Sequence, residues 1–437
     1  MKIDLAKYST NNELNLAMML IAQINSYGYE AYAVGGCVRD LVRYELGQTD
    51  TPNIHDVDIA TNMPIEKLQE KFTTRSNNGE AHGTILVLFR AGLEFAGYDP
   101  VPFEVTQFRT DGDYSDGRHP DTVTFAKTFK EDASRRDLTI NALGMDCDGE
   151  VIDYFGGIKD IEHRFIRTVG DPNARFTEDA LRIIRAIRFA IVFGYLLEDT
   201  TRAVIKAKAH LVASLSAERI RKEFLTVAEK GNIASFYSLL DSTNVEQHIP
   251  ALQKCFGDVL HSKLPMLYRY NKDTDSVSAS VNKDNVVPLI AFQSFNADET
   301  MDKFVATREE RRMLKYYQDF TSYFNTADPT IHYPWTKLVE FVEGDYKNVL
   351  WYCSPYHFSD DFYQQLAIAK FLSQNKPDFK AISEHIKEMG IAQGPDFGKE
   401  YRILVEEAYE KKANMLTKEL ITTIGRSTVH YKLSYVD

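Results

Sequence analysis

Cysteine is scarce. The 437-residue chain has four, Cys37, Cys147, Cys255 and Cys353, widely separated and never spaced as Cys-x-x-Cys. Neither a zinc site nor a disulfide framework follows, and buried free thiols are expected at all four. Long apolar runs are also missing. None approaches the roughly 20 residues of a membrane span, and Met1-Lys2-Ile3-Asp4-Leu5-Ala6-Lys7 lacks the apolar stretch of a secretory leader. A cytoplasmic protein with no membrane partner is expected. Basic residues are in deficit, 51 Lys and Arg against 63 Asp and Glu, for a net charge of −12. That balance argues against a protein that coats nucleic acid indiscriminately. There is no repeat of fixed period, and no Gly-x-x-x-x-Gly-Lys-Ser/Thr, which excludes a P-loop ATPase.

What is present is ordinary soluble material, 44% hydrophobic and 26% charged, in a chain too long for one core. Roughly two to four domains are expected. Charge is segregated: residues 151–230 hold fourteen Lys and Arg against eleven Asp and Glu, a local excess of +3 that leaves −15 elsewhere. One basic stretch suited to phosphates is thus compatible with an acidic whole.

The periodicity predicts a helix over 11–27, with Leu14, Leu16, Met18, Met19, Ile21 and Ile24 at helical spacing and Gly28 beyond its end. Strands are expected at Ala31–Val34 and Val57–Ala60, and a hairpin-like pair at Gly83–Phe89 and Phe103–Phe108. From Thr177 nearly to the end the pattern is helical, interrupted by a polar loop from Asn271 to Asn285, with Glu407–Lys418 an ordinary charged helix face. The fold class is α+β, a small mixed sheet followed by mostly helical domains.

Several motifs carry chemistry. A short apolar strand runs into Gly35-Gly36, a turn whose backbone N–H groups could approach a polyphosphate with no Cβ in the way. Asp56 and Asp58 alternate with apolar residues, which on a strand puts both carboxylates on one face. Such oxygen donors suit Mg2+. Arg135-Arg136-Asp137 sets two guanidiniums beside a carboxylate at an expected helix start, a fork suited to a triphosphate or ribose. In Thr177-Glu178-Asp179-Ala180-Leu181-Arg182, Thr177 is expected to cap a helix on which Asp179 and Arg182, three apart, share a face, with Arg185 and Arg188 following. A carboxylate that only accepts beside a guanidinium that only donates matches the amino and ring nitrogen of cytosine and adenine, and opposes uracil and guanine. Between Arg109 and Pro120 two Asp-Gly-type turns and a proline predict a mobile loop.

Taken together, Gly35-Gly36-Cys37-Val38-Arg39-Asp40 and Asp56-Val57-Asp58-Ile59-Ala60-Thr61 resemble the first motif of the class II tRNA nucleotidyltransferases and bacterial poly(A) polymerases, within the DNA polymerase β superfamily. Arg135-Arg136-Asp137 resembles the second motif, Glu178-Asp179-x-x-Arg182 the amino-acid template, and Leu215–Leu225 the helical motif that helps fix the template helix. The likeness is dense from about residue 30 to 230 and faint afterwards. It implies addition of C, C and A to the tRNA 3′ end from CTP and ATP. Asp56 and Asp58 would be catalytic and hold Mg2+, with Glu104 completing the metal site or acting on the primer hydroxyl. Gly35, Gly36, Arg39, Arg136, Asp179, Arg182, Arg185 and Arg188 would bind nucleotide, and Arg109, Asp111, Gly112, Asp116, Gly117 and Arg118 would belong to the flexible loop.

The resemblance also implies four domains, a head over 1–146, a nucleotide-selecting neck over 147–232, a helical body over 233–330 and a tRNA-binding tail over 331–437. His82-Gly83-Thr84-Ile85-Leu86-Val87 resembles the tRNA enzymes and not the polymerase variant, and the loop argues against a CC-only enzyme, leaving A-only addition open. An inactive RNA-binding relative would have no reason to keep the like-charged pair Asp56 and Asp58. One departure is the stretch between Asp40 and Asp56, a few residues longer than the family pattern.

Overall fold

The computed structural model describes residues 1–75, 83–90, 99–111, 123–252, 268–271, 276–279, 286–293, 297–325, 334–336, 338–339 and 360–424. Contacts divide the chain into two units, Met1–Phe256 with Asp298–Val305, and Gly257–Ala297 with Ala306–Asp437.

The first unit opens with α1 (Asn12–Ser26), capped by Asn11, whose side chain accepts the Leu14 N–H. Its buried stripe is Leu14, Ala17, Met18, Leu20, Ile21 and Ile24, so Ala17 and Leu20 replace the expected Leu16 and the half-exposed Met19. The chain returns as β1 (Ala31–Val34), turns at Gly35 and enters α2 (Gly36–Glu45). Then come β2 (Asp58–Thr61), α3 (Ile65–Lys71), β3 (Thr74–Arg75), β4 (Thr84–Phe89) and β5 (Val101–Gln107). A separate two-stranded ribbon is formed by β6 (Arg109–Asp111) and β7 (Val123–Phe125), and α4 (Phe129–Ser134), β8 (Gly144–Met145) and β9 (Val151–Ile152) complete the head.

The main sheet runs β3-β4-β5-β2-β1-β8-β9. All its neighbours are antiparallel except β2 and β5, which are parallel with Ile59 opposite Val105. Against it lies a core of Val34, Ala60, Phe108, Ala126, Phe129, Ala133, Ala142 and Val169, with Tyr32 stacked on Phe108 at 6.3 Å between ring centres. The expected sheet is therefore present, but β2 begins at Asp58, so Val57 precedes it. Arg109–Asp111, expected in the mobile loop, are strand, paired to Val123–Phe125. Gly112, Asp116, Gly117 and Arg118 lie outside the described residues.

Helices follow: α5 (Gly157–Glu162), α6 (Pro172–Glu178), α7 (Leu181–Phe193), α8 (Asp199–Lys208), α9 (Ala217–Lys230) and α10 (Ile233–Ser242), with the short parallel pair β10 (Phe165–Ile166) and β11 (Leu196–Leu197) between them. α7 packs on α9. It buries Ile183, Ile184, Ala186, Ile187 and Ala190, while Phe224 of α9 meets Phe236, Tyr237 and Phe304 edge to face.

In the second unit, Val286–Gln293 packs on Arg308–Asn325, and Asp360–Gln374 and Phe379–Glu388 pack on Pro395–Ile424. Among its described residues an antiparallel pair, Tyr268–Asn271 with Ser276–Ala279, departs from the all-helical reading. The strand Ser276-Val277-Ser278-Ala279 falls inside the stretch expected to be loop, because its alternation is too short to stand out from polar surroundings. Cys37 is buried as expected, Cys147 is only half-buried, and Cys255 and Cys353 lie outside the described residues. No helix among the described residues is long and apolar enough to cross a membrane.

The start of α5 clamps the segment that carries Asp137. The Asp153 carboxylate accepts the N–H groups of Phe155, Gly156, Gly157 and Ile158 at 2.8–3.1 Å, and a Cβ at Gly157 would stand 2.3 Å from the Thr139 carbonyl oxygen. Since that neighbour is backbone, Gly157→Ala should destabilise the protein by about 1–3 kcal/mol. Urea denaturation should show a lower midpoint, and an unchanged midpoint would contradict the close approach.

Candidate active site

The turn between β1 and α2 requires Gly35, whose φ of 76° and ψ of −135° suit no side-chain-bearing residue. It also sits under β2: a Cβ there would lie 3.6 Å from Asp58 Oδ2. The turn and the carboxylate strand are thus neighbours, as their pairing Val34 to Asp58 demands.

Asp58 opens β2. Asp56 lies before the strand in a left-handed conformation, φ 54°, so the expected strand alternation of the two carboxylates is replaced by a turn into the strand. Glu104 is exposed on β5, one residue before the Ile59–Val105 register pair, which puts it alongside Asp58. Asp58 keeps an open face to solvent, yet the surrounding protein strips water from its carboxylate. Burial first, then the negative charges of Glu104 and Asp56, push its pKa up to about 6 against the pull of the Arg136 guanidinium. Surplus negative charge on open oxygen donors fits a hard divalent cation. Asp56 and Asp58 are the pair that would hold it. Among the described residues no three His, Cys, Asp or Glu side chains form an enclosing cluster.

A wall of guanidiniums faces these acids. The Arg135-Arg136-Asp137 segment does not start a helix, as expected, but ends one: α4 is capped at its start by a reciprocal Thr128–Glu131 box, and Arg135 is its C-cap. The buried Asp132, three and four residues upstream, takes Arg135 at 2.8 Å and Arg136 at 3.1 Å, and both arginines hold its pKa down against its burial. Arg136 also donates to the Asn141 carbonyl at 3.2 Å. Burial pushes the Asp137 carboxyl up, but Arg185 at 2.6 Å, the Asn141 amide and the Leu138 N–H outweigh it and hold its pKa at about 2. Asn141 closes the circuit by accepting Arg39 Nη1 at 2.8 Å, and Arg39 is held from its other edge by Asp40 at 3.0 Å. The Arg39 guanidinium lies 4.7 Å from the centre of the Phe193 ring, which ties α2 to the end of α7.

The base-reading pair is built differently from the sequence expectation. Asp171 followed by Pro172 starts a helix early, so Thr177 falls inside α6 and Asp179, at φ −145° and ψ 106°, separates α6 from α7. Its carboxylate caps α7 by accepting the Leu181 N–H at 3.0 Å. It also takes Arg219 Nη2 at 2.8 and 2.9 Å. Arg182, on α7 and buried, reaches Glu178 at 2.5 Å, and donates to the carbonyls of Arg175 at 3.3 Å and Arg135 at 3.1 Å. The two residues therefore adjoin at a helix junction, each held by its own partner, and do not share a helix face. The bond to the Arg135 carbonyl brings Arg182 against the segment whose next residue, Arg136, acts on Asp58.

Residues 31–167 match the family model of the poly(A) polymerase head domain, and residues 194–256 match the model described as the probable RNA and SrmB-binding site of polymerase A. A CCA-adding enzyme of Geobacillus thermodenitrificans is 43% identical over 236 residues, 54% of this chain and 54% of that protein. One of Enterococcus faecalis is 42% identical over 247 residues, 56% of each. The chain spans about half the length of the curated relatives it matches. The crystal structure of the Bacillus stearothermophilus CCA-adding enzyme in complex with CTP aligns with a TM-score of 0.64 at 25% identity, covering 94% of this chain and 100% of that one. The Thermotoga maritima CCA-adding enzyme complexed with tRNA shares the fold, with a TM-score of 0.65 at 19% identity over 96% of this chain and 100% of that one.

Residues outside the expected set stand out by their contacts. Arg219 and Glu223 face α7 from α9, Glu223 holding Arg188 at 2.5 Å while the Arg188 guanidinium lies 4.0 Å from the centre of the Phe189 ring. Their spacing of four within Leu215–Leu225 is the signal that marks them as one helix face. Asp132, likewise, stands three and four before Arg135 and Arg136.

The raised pKa of Asp58 has a definite sign. Below about pH 4 the carboxyl is neutral both folded and unfolded, and no penalty exists. Between about pH 4 and pH 6 the unfolded chain gives up this proton while the folded protein keeps it, so stability falls across that window and stays low above it. In chelator-treated protein Asp58→Asn should raise stability at pH 7.5 by about 1 kcal/mol, allowing for solvent screening at this open position. Urea titrations should show the gain fading towards pH 4.5, and a gain independent of pH would contradict this electrostatic account.

Proposed function

We propose that the protein adds C, C and A to the 3′ end of tRNA from CTP and ATP, without a nucleic-acid template, in the cytoplasm. The observation that carries this reading is the bond from Arg182 to the Arg135 carbonyl, which joins the base-reading junction to the arginine segment acting on Asp58. The names of the relatives and of the CTP complex point the same way.

Asp56 and Asp58 would hold Mg2+, which when bound would neutralise charge on the phosphoryl oxygens and make the attacking hydroxyl more acidic. Backbone at Gly35 and Gly36, with Arg39, receives the triphosphate. Arg39 is preorganised for this by Asp40 and Asn141. Arg136 supplies positive charge between nucleotide and carboxylates. Glu104 stands beside Asp58 as acceptor for the proton of the tRNA 3′ hydroxyl. That oxygen forms the new bond to the α-phosphorus as the bond to pyrophosphate breaks. Asp179 accepts the amino N–H of cytosine or adenine and Arg182 donates to the adjacent ring nitrogen. Uracil and guanine would set a carbonyl against the carboxylate and an N–H against the guanidinium. Arg185 and Arg188 support the junction from Asp137 and Glu223, within reach of the nucleotide's phosphates. Residues 1–146 serve as head, 147–232 as neck, 233–330 as body and 331–437 as tRNA-binding tail.

Given tRNA ending before CCA and one nucleotide at a time, the protein should incorporate CTP and then ATP, and Asp56→Ala should abolish both. Arg182→Ala should lower discrimination against UTP by about 100-fold, read as the ratio of kcat/KM values. UTP use by the unaltered protein would refute the base-reading scheme. The partial enzymes are separated by a deletion: removing Gly112–Gly117 should abolish A addition and spare C addition. Equal loss of both would deny the loop a part in the switch to ATP.

A further inference from the structure

The linker from the end of α2 to β2, residues 46–57, ends on the proposed magnesium pair. One end is anchored by Gln48, which donates to the Ile161 carbonyl at 2.7 Å and accepts the Tyr195 hydroxyl. The other end meets α1. Asn11 Nδ2 reaches the Ile54 carbonyl at 3.5 Å, and the Glu13 side chain, in the first turn of α1, accepts the Val57 N–H at 3.0 Å. Val57 is the residue between the two carboxylates. It is 3% exposed and precedes the first sheet register pair, Val34–Asp58, so its buried donor is met by Glu13 and not by the ladder. The residue before it, Asp56, has a positive φ of 54°, uncommon for a residue with a side chain although aspartate tolerates it better than most, so the turn depends on what its surroundings hold in place.

We propose that Glu13 is a positioning residue for the magnesium pair: by accepting the Val57 N–H it fixes the left-handed turn that aims Asp56 at the site shared with Asp58. This rests on the reading of Asp56 and Asp58 as magnesium ligands, and it assigns to α1 a part in the site that none of the nucleotidyltransferase motifs contains. Glu13 touches neither substrate nor metal. Its effect is exerted through one backbone bond, in the manner of the outer partners that orient metal ligands.

Binding of Mn2+ to the full chain, followed by the loss of the free-ion paramagnetic resonance signal, tests the proposal without nucleotide or tRNA. Glu13→Ala should weaken Mn2+ binding about 10-fold or more. Glu13→Gln, which keeps an oxygen acceptor at the same reach but no charge, should stay within about threefold of the unaltered protein. Glu13→Asp keeps the charge but is too short, and should fall with Glu13→Ala. If Glu13→Gln falls as far as Glu13→Ala, Glu13 acts by charge and the proposal fails. It fails equally if Glu13→Ala leaves affinity unchanged. Should Glu13→Ala not fold, the ordering of Glu13→Gln above Glu13→Asp decides the same question. Full affinity in Asp56→Asn would sink the reading of the carboxylate pair itself, and the role of Glu13 with it.

Discussion

The Asp137 carboxylate accepts the Leu138 N–H behind it, the Asn141 amide beside it and the Arg185 guanidinium from α7, 48 residues further along the chain. A buried carboxylate is costly to leave charged, and breaking such a pair strands the remaining charge in a poorly hydrated place. Here the cost is met from three directions, and each partner leads to another part of the site. Asn141 leads to Arg39 and the glycine turn, and Arg185 leads to α7, whose first turn carries Arg182. The segment after α4 and the helix α7 are therefore joined by a charged, directional contact whose geometry tolerates little slippage. An apolar seam of the same area would permit small sliding motions; a fork of guanidinium on carboxylate does not.

Charges of opposite sign are gathered on two sets of elements. On β2 and β5 burial first, and then the neighbouring acids Glu104 and Asp56, raise the pKa of Asp58. Opposite them the arginines are already neutralised, Arg135 and Arg136 by Asp132, Arg185 by Asp137 and Arg188 by Glu223. The acidic wall is left wanting positive charge, while the basic wall is held in fixed orientation by internal carboxylates. A triphosphate with a divalent ion offers both signs, and rigid arginines require little reorganisation to meet it.

The sequence made the sheet legible because it is written in local spacing. β1 and the glycine turn follow from an apolar run ending in Gly35-Gly36, and β2 from the apolar residues after Asp58, whereas the alternation expected to place Asp56 on the same strand gives way to a turn. Helix boundaries around the motifs were harder to read. Arg135-Arg136-Asp137 resembles an N-terminus because an aspartate follows basic residues, yet the capping box at Thr128 and Glu131 had already begun the helix upstream. Thr177 resembles a cap, yet Asp171 with Pro172 is the stronger start, and Asp179 binds the backbone of the next helix in preference to continuing its own. Contacts between distant residues were illegible altogether. Nothing in the neighbourhood of Glu13 announces that it will meet Val57, and only the α9 spacing hints that Arg219 will meet Asp179.

Asp179 ends α6, caps α7 and carries the acceptor proposed to face the incoming base. On that proposal one side chain joins two helices and reads the base, and a swap intended to alter nucleotide preference would loosen the joint as well. Arg182 also spans the junction, reaching from α7 to Glu178 and the Arg175 carbonyl of α6 and to the Arg135 carbonyl. Retuning of preference is accordingly constrained on the guanidinium side too, where a shorter side chain would release three contacts that hold the bend between the two helices.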